Sequence, residues 1–426
     1  MNIVRSLAGM LDVRRAFIIG DLDRLMDEAV YGRPTSSGAN VSEQSALCLP
    51  AVLACVDLIS KTGSMLPGHV YRRVNDGTRD RERADRHYLY PLVHDMANPE
   101  LPAMEWRRIA LGHLLTWGNS YSWIEWNGSK EPKAIWIIPP DKIKVKRETI
   151  TDPIQYFVLD KNGTWVEFPA NDILHIRGLG FDGTKGYSPI SLMRESIGLL
   201  SAAEKTAGAM SKNGYSSRLV LESPGVINPE QMQTLRDSLE AAYGGLQNKH
   251  KAIVVQGGMK AVPISISPHD AEFLSQWKYL DSKIYQMYGV PPHMVGDTEK
   301  STSWGSGIEQ QKDGFVTFTM QPWMELIETW MEVALLPPGQ RQYFVEYDFK
   351  GLMRGDTAAR STWYEKMIKN GIYTPNDVLR KENENPYDGG DVYQRPLNTA
   401  FVDAEGKVIS VTPPGGASGG ANEQAI

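Results

Sequence analysis

The stretch SPHDAEFLSQWKYLDSKIYQMYGVPP, residues 267–292, decides the fold. Ser267 followed by Pro268 is a helix cap with proline at the first helical position, and Asp270 in the first turn favours the positive end of the helix dipole. Phe273, Trp277, Leu280, Ile284 and Met287 recur at steps of four, three, four and three, a seam that another helix must cover. Gly289 ends the run before Pro291 and Pro292. At ~1.5 Å per residue, about 20 helical residues reach on the order of 30 Å.

Toward the N-terminus, Ser188-Pro189 repeats the cap and predicts a helix to Asn213, with Ile190, Met193, Ile197 and Leu200 as its apolar line. Ala202, Ala203, Ala207, Gly208 and Ala209 keep its second half thin enough for close helix approach. Between the two helices the pattern reads as βαββ: strand Arg218 to Glu222, a helix from Asn228-Pro229 to Tyr243 with Gln231 completing a capping box, and strands Lys251 to Val255 and Lys260 to Ile264. Two long helices thus bracket a small β-rich tip.

Further upstream, a helix from Cys48 to Lys61 and a strand from His69 to Val74 precede a helix over Ala103 to Trp117. Short strands follow at Tyr121 to Trp126, Ala134 to Ile138, Ile143 to Arg147, Gln155 to Leu159, Thr164 to Glu167 and Ile173 to Ile176, with hairpin signals at Asn127-Gly128 and Asn162-Gly163. Downstream, the polar run Thr298 to Ser303 sits in a long link from Gly289 to Gly307, the kind of link that does work. A helix from Ile308 to Leu335, kinked at Pro322, leads to a strand at Tyr343 to Phe349. Helices over Asp356 to Asn370 and from Thr374-Pro375 onward come next, and the Gly, Ala and Ser-rich end, Pro413 to Ile426, reads as disordered. The fold class is α+β.

Composition narrows the function. The chain has 426 residues, 41% of them hydrophobic, with a formal charge of −6, which disfavours a tight DNA gripper. Glu204 to Lys283 holds nine basic against eight acidic residues, a wall that would neither capture a polyanion nor expel it. The apolar run Trp323 to Leu336 is broken by Glu325, Glu328 and Glu332, so no membrane span is expected, and the N-terminus shows no secretory signal. Cys48 and Cys55 read as two reduced, packed thiols on one side of a helix in a cytosolic protein. The mixed charges of Arg79 to Arg86 read as a solvated face.

Gly178-Leu179-Gly180-Phe181-Asp182-Gly183 matches the dinucleotide pattern G-x-G-x-x-G after a predicted strand. A phosphate loop needs its helix to open on the last glycine, and here Thr184 to Tyr187 intervene, so a plain strand-to-helix turn is expected. His269, Glu272 and His293 lie at opposite ends of one helix and make no ligand pair. No catalytic, cofactor-binding or metal-binding residue is expected.

Several stretches together resemble the portal proteins of tailed bacteriophages, in particular the family like that of phage HK97. They are Ala51 to Val56 with Leu66-Pro67 and Val70 to Arg72, Pro91-Leu92 to Asn98-Pro99, Gly118 to Tyr121, Ile138 to Pro140, Asp172 to Ile176 leading to Gly186 to Pro189, Tyr288 to Pro292, and Ile308 to Gln311. The resemblance implies a ring, usually of twelve copies, at one capsid vertex, with DNA packaged and ejected through its channel. It divides the chain into a flexible arm (1–40), an α+β wing (41–187), stem helices (188–216 and 267–289) around a clip (217–266), and a tunnel loop (290–307). A kinked helix with a wing strand (308–355), a crown (356–400) and a disordered tail (401–426) complete it.

As partners the resemblance implies further copies of the chain, double-stranded DNA without sequence preference, the terminase large subunit, the head-tail adaptor and the major capsid protein. The protein would reside in the virion, and in the host cytoplasm during assembly. Lys300, Ser301, Thr302, Ser303 and Trp304 are expected to face DNA in the tunnel loop, Trp304 alternatively packing on the wing. Lys205, Lys212, Lys278 and Lys283 would line the stem channel, and Asn228, Gln231, Arg236 and Glu240 would dock the motor or adaptor. Another phage structural part, a head-tail adaptor or minor capsid protein, is the alternative, with a nucleotide-binding enzyme behind it.

Overall fold

The computed structural model describes residues 35–74, 81–212, 219–222, 228–230, 232–234, 237, 260–263, 269–297, 306–352, 357–382, 384–394, 401–402 and 408–410. Helices α1 (Glu43–Ala46) and α2 (Pro50–Ser64) lead into strands β1 (Gly68–Arg73) and β2 (Arg81–Arg83). Then come α3 (Tyr90–His94), β3 (Met96–Asn98), β4 (Leu101–Pro102), α4 (Ala103–Trp117), β5 (Asn119–Trp126) and β6 (Pro132–Ile138). Strands β7 (Ile143–Lys146), β8 (Gln155–Leu159), β9 (Trp165–Phe168) and β10 (Ile173–Arg177) follow, then helices α5 (Pro189–Leu192) and α6 (Arg194–Lys212). Strands β11 (Leu219–Glu222) and β12 (Lys260–Pro263) form an antiparallel pair before α7 (His269–Tyr288). Helices α8 (Ser306–Phe315) and α9 (Gln321–Leu335) and strand β13 (Tyr343–Tyr347) close the first of two compact units, Met1–Phe349. The second unit, Lys350–Ile426, holds α10 (Thr357–Lys369), α11 (Pro375–Lys381) and the short pair β14 (Phe401–Val402) and β15 (Val408–Ser410).

Mixed helices and antiparallel sheets make up the α+β class. Among the described residues, three three-stranded sheets carry the first unit, in the orders β13-β1-β2, β10-β5-β6 and β7-β8-β9. The main core gathers Val52, Cys55 and Ile59 of α2, Ile197 and Leu200 of α6, Ile284, Tyr285 and Tyr288 of α7, and Phe315 and Met320. The α7 seam is therefore buried in its C-terminal half, where Ile284 is fully covered and Trp277, Leu280 and Met287 pack partly exposed against the core.

Some expectations are corrected. Pro50 starts α2 at its first turn with Leu49 as cap, so Cys48 precedes the helix and is exposed, whereas Cys55 is buried and pushed up to about 12 by burial, with Asp281 adding to it. The irregularity assigned to Pro322 lies one turn earlier, as a π turn over Val316–Met320. Pro322 has no N–H to offer residue 318 and sits in the first turn of α9, where that loss is tolerated; the π turn absorbs the break. In the β5–β6 hairpin the left-handed residue is Lys130, φ 59°, because Asn127 Oδ1 accepts the Ser129 and Glu131 N–H groups and builds a longer turn. The expected arm over 1–40 is packed where described: Thr35 is buried, and a Cβ on Gly198 of α6 would come within 2.5 Å of it. In the expected tail, residues 401–402 and 408–410 pair as strands. The helix break at Met193, φ −100° and ψ 16°, divides the single helix expected from Pro189.

Candidate functional site

Helices α6 and α7 pack together, and α7 also packs on α2. Their roots are pinned by specific bonds. The Tyr288 hydroxyl donates to Leu115 O at 3.1 Å. Gly289, φ 64°, turns the chain out of α7, and the Val290 N–H returns to Tyr285 O at 2.9 Å. Thr319 Oγ1 of the π turn donates to Gly289 O at 2.7 Å, and a Cβ on Gly289 would sit 2.7 Å from that oxygen. On α6, Glu195 accepts from the Ser36 hydroxyl at 2.6 Å and its N–H at 3.1 Å.

The helix pair carries carboxylates short of water. Burial raises Glu204 of α6, and burial with the nearby charges of Glu204 and Asp297 raises Asp281 of α7 to about 6. Lys205 and Lys278 are exposed, and the Lys283 ammonium lies 5.3 Å over the Tyr279 ring. Lys205 and Lys212 are seven residues apart, so their register on α6 differs by only about 20°, whereas Lys278 and Lys283, five apart, project about 140° from each other. The helix thus separates the second pair.

The segment that launches α5 is a buried junction. Asn119 Nδ2 donates to Gly186 O at 2.7 Å, and its Oδ1 accepts the Gly186 N–H at 2.7 Å. That pairing fixes the amide orientation, so His175 Nε2, 3.0 Å from Asn119 Oδ1, is the protonated nitrogen, and Nδ1 accepts from the Tyr156 hydroxyl at 3.1 Å. Burial foremost, with Arg177 and Lys185 nearby, holds His175 well below the usual histidine range and keeps it neutral. Gly118, φ 71°, donates no side chain because Tyr187 O would lie 2.0 Å from a Cβ there. A Cβ on Gly186 would meet Gly118 O at 2.2 Å. Ser188 Oγ caps α5 by accepting the Ser191 N–H, and it lies 2.8 Å from Thr116 O and 2.9 Å from Glu43 Oε1. Burial raises Glu43, against the Ser188 hydroxyl and its own backbone N–H, which lower it.

This geometry accounts for the glycine motif. Gly178 N–H bonds to Gly118 O at 2.8 Å, and a Cβ on Gly180 would meet Lys185 O at 2.3 Å. Asp182 Oδ1 accepts the Thr184 and Lys185 N–H groups, and the Arg177 guanidinium donates to Gly183 O at 2.5 Å. Gly178 and Gly180 make room for the chain's own backbone, Gly183 supplies a left-handed turn at φ 68°, and the helix opens only at Pro189, as a strand-to-helix turn requires.

Among the described residues, no group of three or more His, Cys, Asp or Glu converges as metal ligands, and no helix is long and apolar enough to cross a membrane. Lys300, Ser301, Thr302, Ser303, Trp304, Gln231, Arg236 and Glu240 lie outside the described residues. Asn228 is exposed and accepts the Met232 N–H through its carbonyl at 2.9 Å. The structure thus brings Lys205, Lys278 and Lys283 onto one helix pair. Sequence reasoning missed Asn119, His175, Glu43 and Thr319 as the residues that hold this pair. Gly118 to Tyr121, Asp172 to Ile176 and Gly186 to Pro189 were the available signal, three separate stretches that meet in space.

The family model described as Phage portal protein matches residues 50–383. The portal protein of Enterobacteria phage HK97 is 30% identical over 360 residues, covering 84% of this chain and 84% of its own. The probable portal protein of Streptomyces phage phiC31 is 31% identical over 394 residues, 89% of this chain and 85% of its own. Among solved structures, an HK97 family phage portal protein from Corynebacterium diphtheriae gives a TM-score of 0.55 at 16% identity, over 74% of this chain and 98% of that one. A chain of the neck of a native gene transfer agent particle, computed with C12 symmetry, gives 0.53 at 18% identity, over 85% and 100%. These structures share the fold.

Proposed function

The chain belongs to the phage portal protein family, and from that premise we propose that copies of it stand side by side in a ring of twelve at a capsid vertex, enclosing a channel for double-stranded DNA. The observation that carries this reading is the family match across residues 50–383, which spans both helices of the pair and the segment between them. The pair α6 and α7, rooted in one core and joined through the strand pair β11 and β12, suits a channel wall with a docking tip. In this reading Lys205 and Lys212 share a channel-facing register, with Lys278 and Lys283 divided between the channel and the neighbouring helix.

Lys300 to Trp304 would face the duplex. Asn228, Gln231, Arg236 and Glu240 would meet the terminase large subunit and later the head-tail adaptor, and the wing would meet the major capsid protein. The protein would reach the virion from the host cytoplasm. A net charge of −6 suits passage of DNA over its capture. Negative-stain imaging of the purified protein tests the ring. Closed rings with a central hole are expected, and a monomer under every assembly condition would overturn the reading.

A further inference from the structure

The sheet β7-β8-β9 sorts its side chains by alternation. Ile143, Val145 and Tyr156 turn inward to a core with Tyr121, Ile138, Ile154 and Ile173. Lys144, Lys146, Phe157, Trp165 and Glu167 occupy the other face, with Lys144 opposite Phe157 and Phe157 opposite Glu167 in the cross-strand register. The Lys144 ammonium lies 4.2 Å over the Trp165 ring, and that of Lys146 lies 5.7 Å over Phe157. Neither lysine has a carboxylate partner among the described residues. No hydrogen bond from another segment meets the outer edges of β7 or β9 among the described residues. In a chain of charge −6, this is a local patch of unneutralised cations held in place over ring faces.

We propose that this face docks an acidic, extended protein segment, whose carboxylates meet Lys144 and Lys146 and whose aliphatic stems lie on Phe157 and Trp165. The spacing suits that partner. Lys144 and Lys146 are two residues apart on one strand, about 6.8 Å, which is the spacing of alternate side chains on any extended chain. A nucleic acid fits less well. Its affinity grows with the number of phosphates neutralised, and this face offers two lysines and places Glu167 in the same row. The inference does not depend on ring formation, because every residue it uses belongs to one sheet of one copy.

The test uses the full-length protein and a fluorescein-labelled synthetic decapeptide of alternating Glu and Val, read by anisotropy at ~20 mM salt, where surface charge is weakly screened. The peptide is expected to bind the parent protein. Binding should weaken at least about tenfold in the Lys144→Glu/Lys146→Glu variant and persist in Lys144→Arg/Lys146→Arg, which keeps the charge. Lys369→Glu, in the other unit, should bind as the parent does. Absence of peptide binding by the parent protein, or equal binding by the charge-reversed variant, would overturn the proposal. So would tighter, lysine-dependent binding of a single-stranded oligonucleotide. A loss of self-assembly in the charge-reversed variant would also overturn it, by giving the face to a second copy.

Discussion

The sheets β13-β1-β2 and β7-β8-β9 each have three strands paired antiparallel, yet they end differently. The outer edge of β13 is closed by a helix: Glu332 of α9 accepts the Val345 N–H at 3.1 Å, and Glu328, one turn earlier, accepts the Tyr347 N–H at 2.6 Å. Two glutamates at i and i+4 match the alternate N–H groups of an edge strand. In β7-β8-β9 no hydrogen bond from another segment meets either outer edge among the described residues, and lysines stand over aromatic rings. The buried junction is determined in the same way, with glycines that leave no room and an asparagine paired to backbone on both its groups. The difference separates backbone whose position is fully determined from a surface free to meet something else.

The comparison breaks first at Gly186. Alanine there would place a Cβ 2.2 Å from Gly118 O and 2.8 Å from Gly178 N, both backbone atoms that cannot rotate away. Gly186→Ala is expected to cost about 3 kcal/mol or more, or to abolish folding, by urea denaturation followed by circular dichroism. A cost under about 1 kcal/mol would show that the junction is looser than its contacts imply. Asn119→Ala leaves the Gly186 N–H and the His175 N–H unpaired in a buried place and should cost on the order of 2 kcal/mol.

The closed edge has a pH signature of its own. Burial lifts Glu328 to about 8 against the Tyr347 N–H bond, which lowers it, with Glu346, Glu325 and Glu332 adding to the rise. The folded state therefore holds a proton that the unfolded chain releases near 4.5, so stability falls as pH rises from about 4.5 through about 8, by up to about 1.4 kcal/mol per pH unit. Glu328→Gln mimics the protonated form and should remove that decline, leaving it on the order of 2 kcal/mol more stable at pH 8, relative to the parent, than at pH 5. The junction titrates oppositely. His175 is held neutral, so the unfolded chain binds the extra proton and the His175 contribution falls as pH drops below about 6.5; between about 4.5 and 6.5 it offsets the Glu328 contribution, and the parent's net decline shows above about 6.5. A parent protein with neither limb in its pH–stability profile would break the contrast between closed and open regions.

The α7 seam was legible because periodicity is local: Trp277, Leu280, Ile284 and Met287 announce a buried face wherever the partner comes from. Glycine and proline punctuation marked Gly289 and the helix opening at Thr374-Pro375, both of which the structure shows. What could not be read was pairing between distant segments. Nothing in Tyr343–Tyr347 says that it pairs with Gly68–Arg73, or that glutamates which look like interruptions of an apolar run close its far edge. The junction hid for the same reason. Gly178 to Gly183 matched a phosphate motif in spacing, while the atoms filling its space belong to Gly118 and Lys185, and no spacing rule includes them. Cys48 was misplaced by a boundary: Pro50 fixes the helix start, and two residues decide whether a thiol is exposed.

The smallest expected effect is the one that sharpens the comparison most. Lys144→Ala removes an exposed cation from the Trp165 ring, an interaction of about 0.5–1 kcal/mol at such sites, and leaves no buried group unpaired. Its unfolding midpoint in urea should move by less than about 1 kcal/mol, well below the effect at Gly186 or Asn119. A larger loss would mean that the lysine braces the sheet, so that the strand register depends on it and the face is structural. A small one means that Lys144 and Lys146 stand over their rings at little consequence to the fold, which leaves their charge available to whatever the sheet meets.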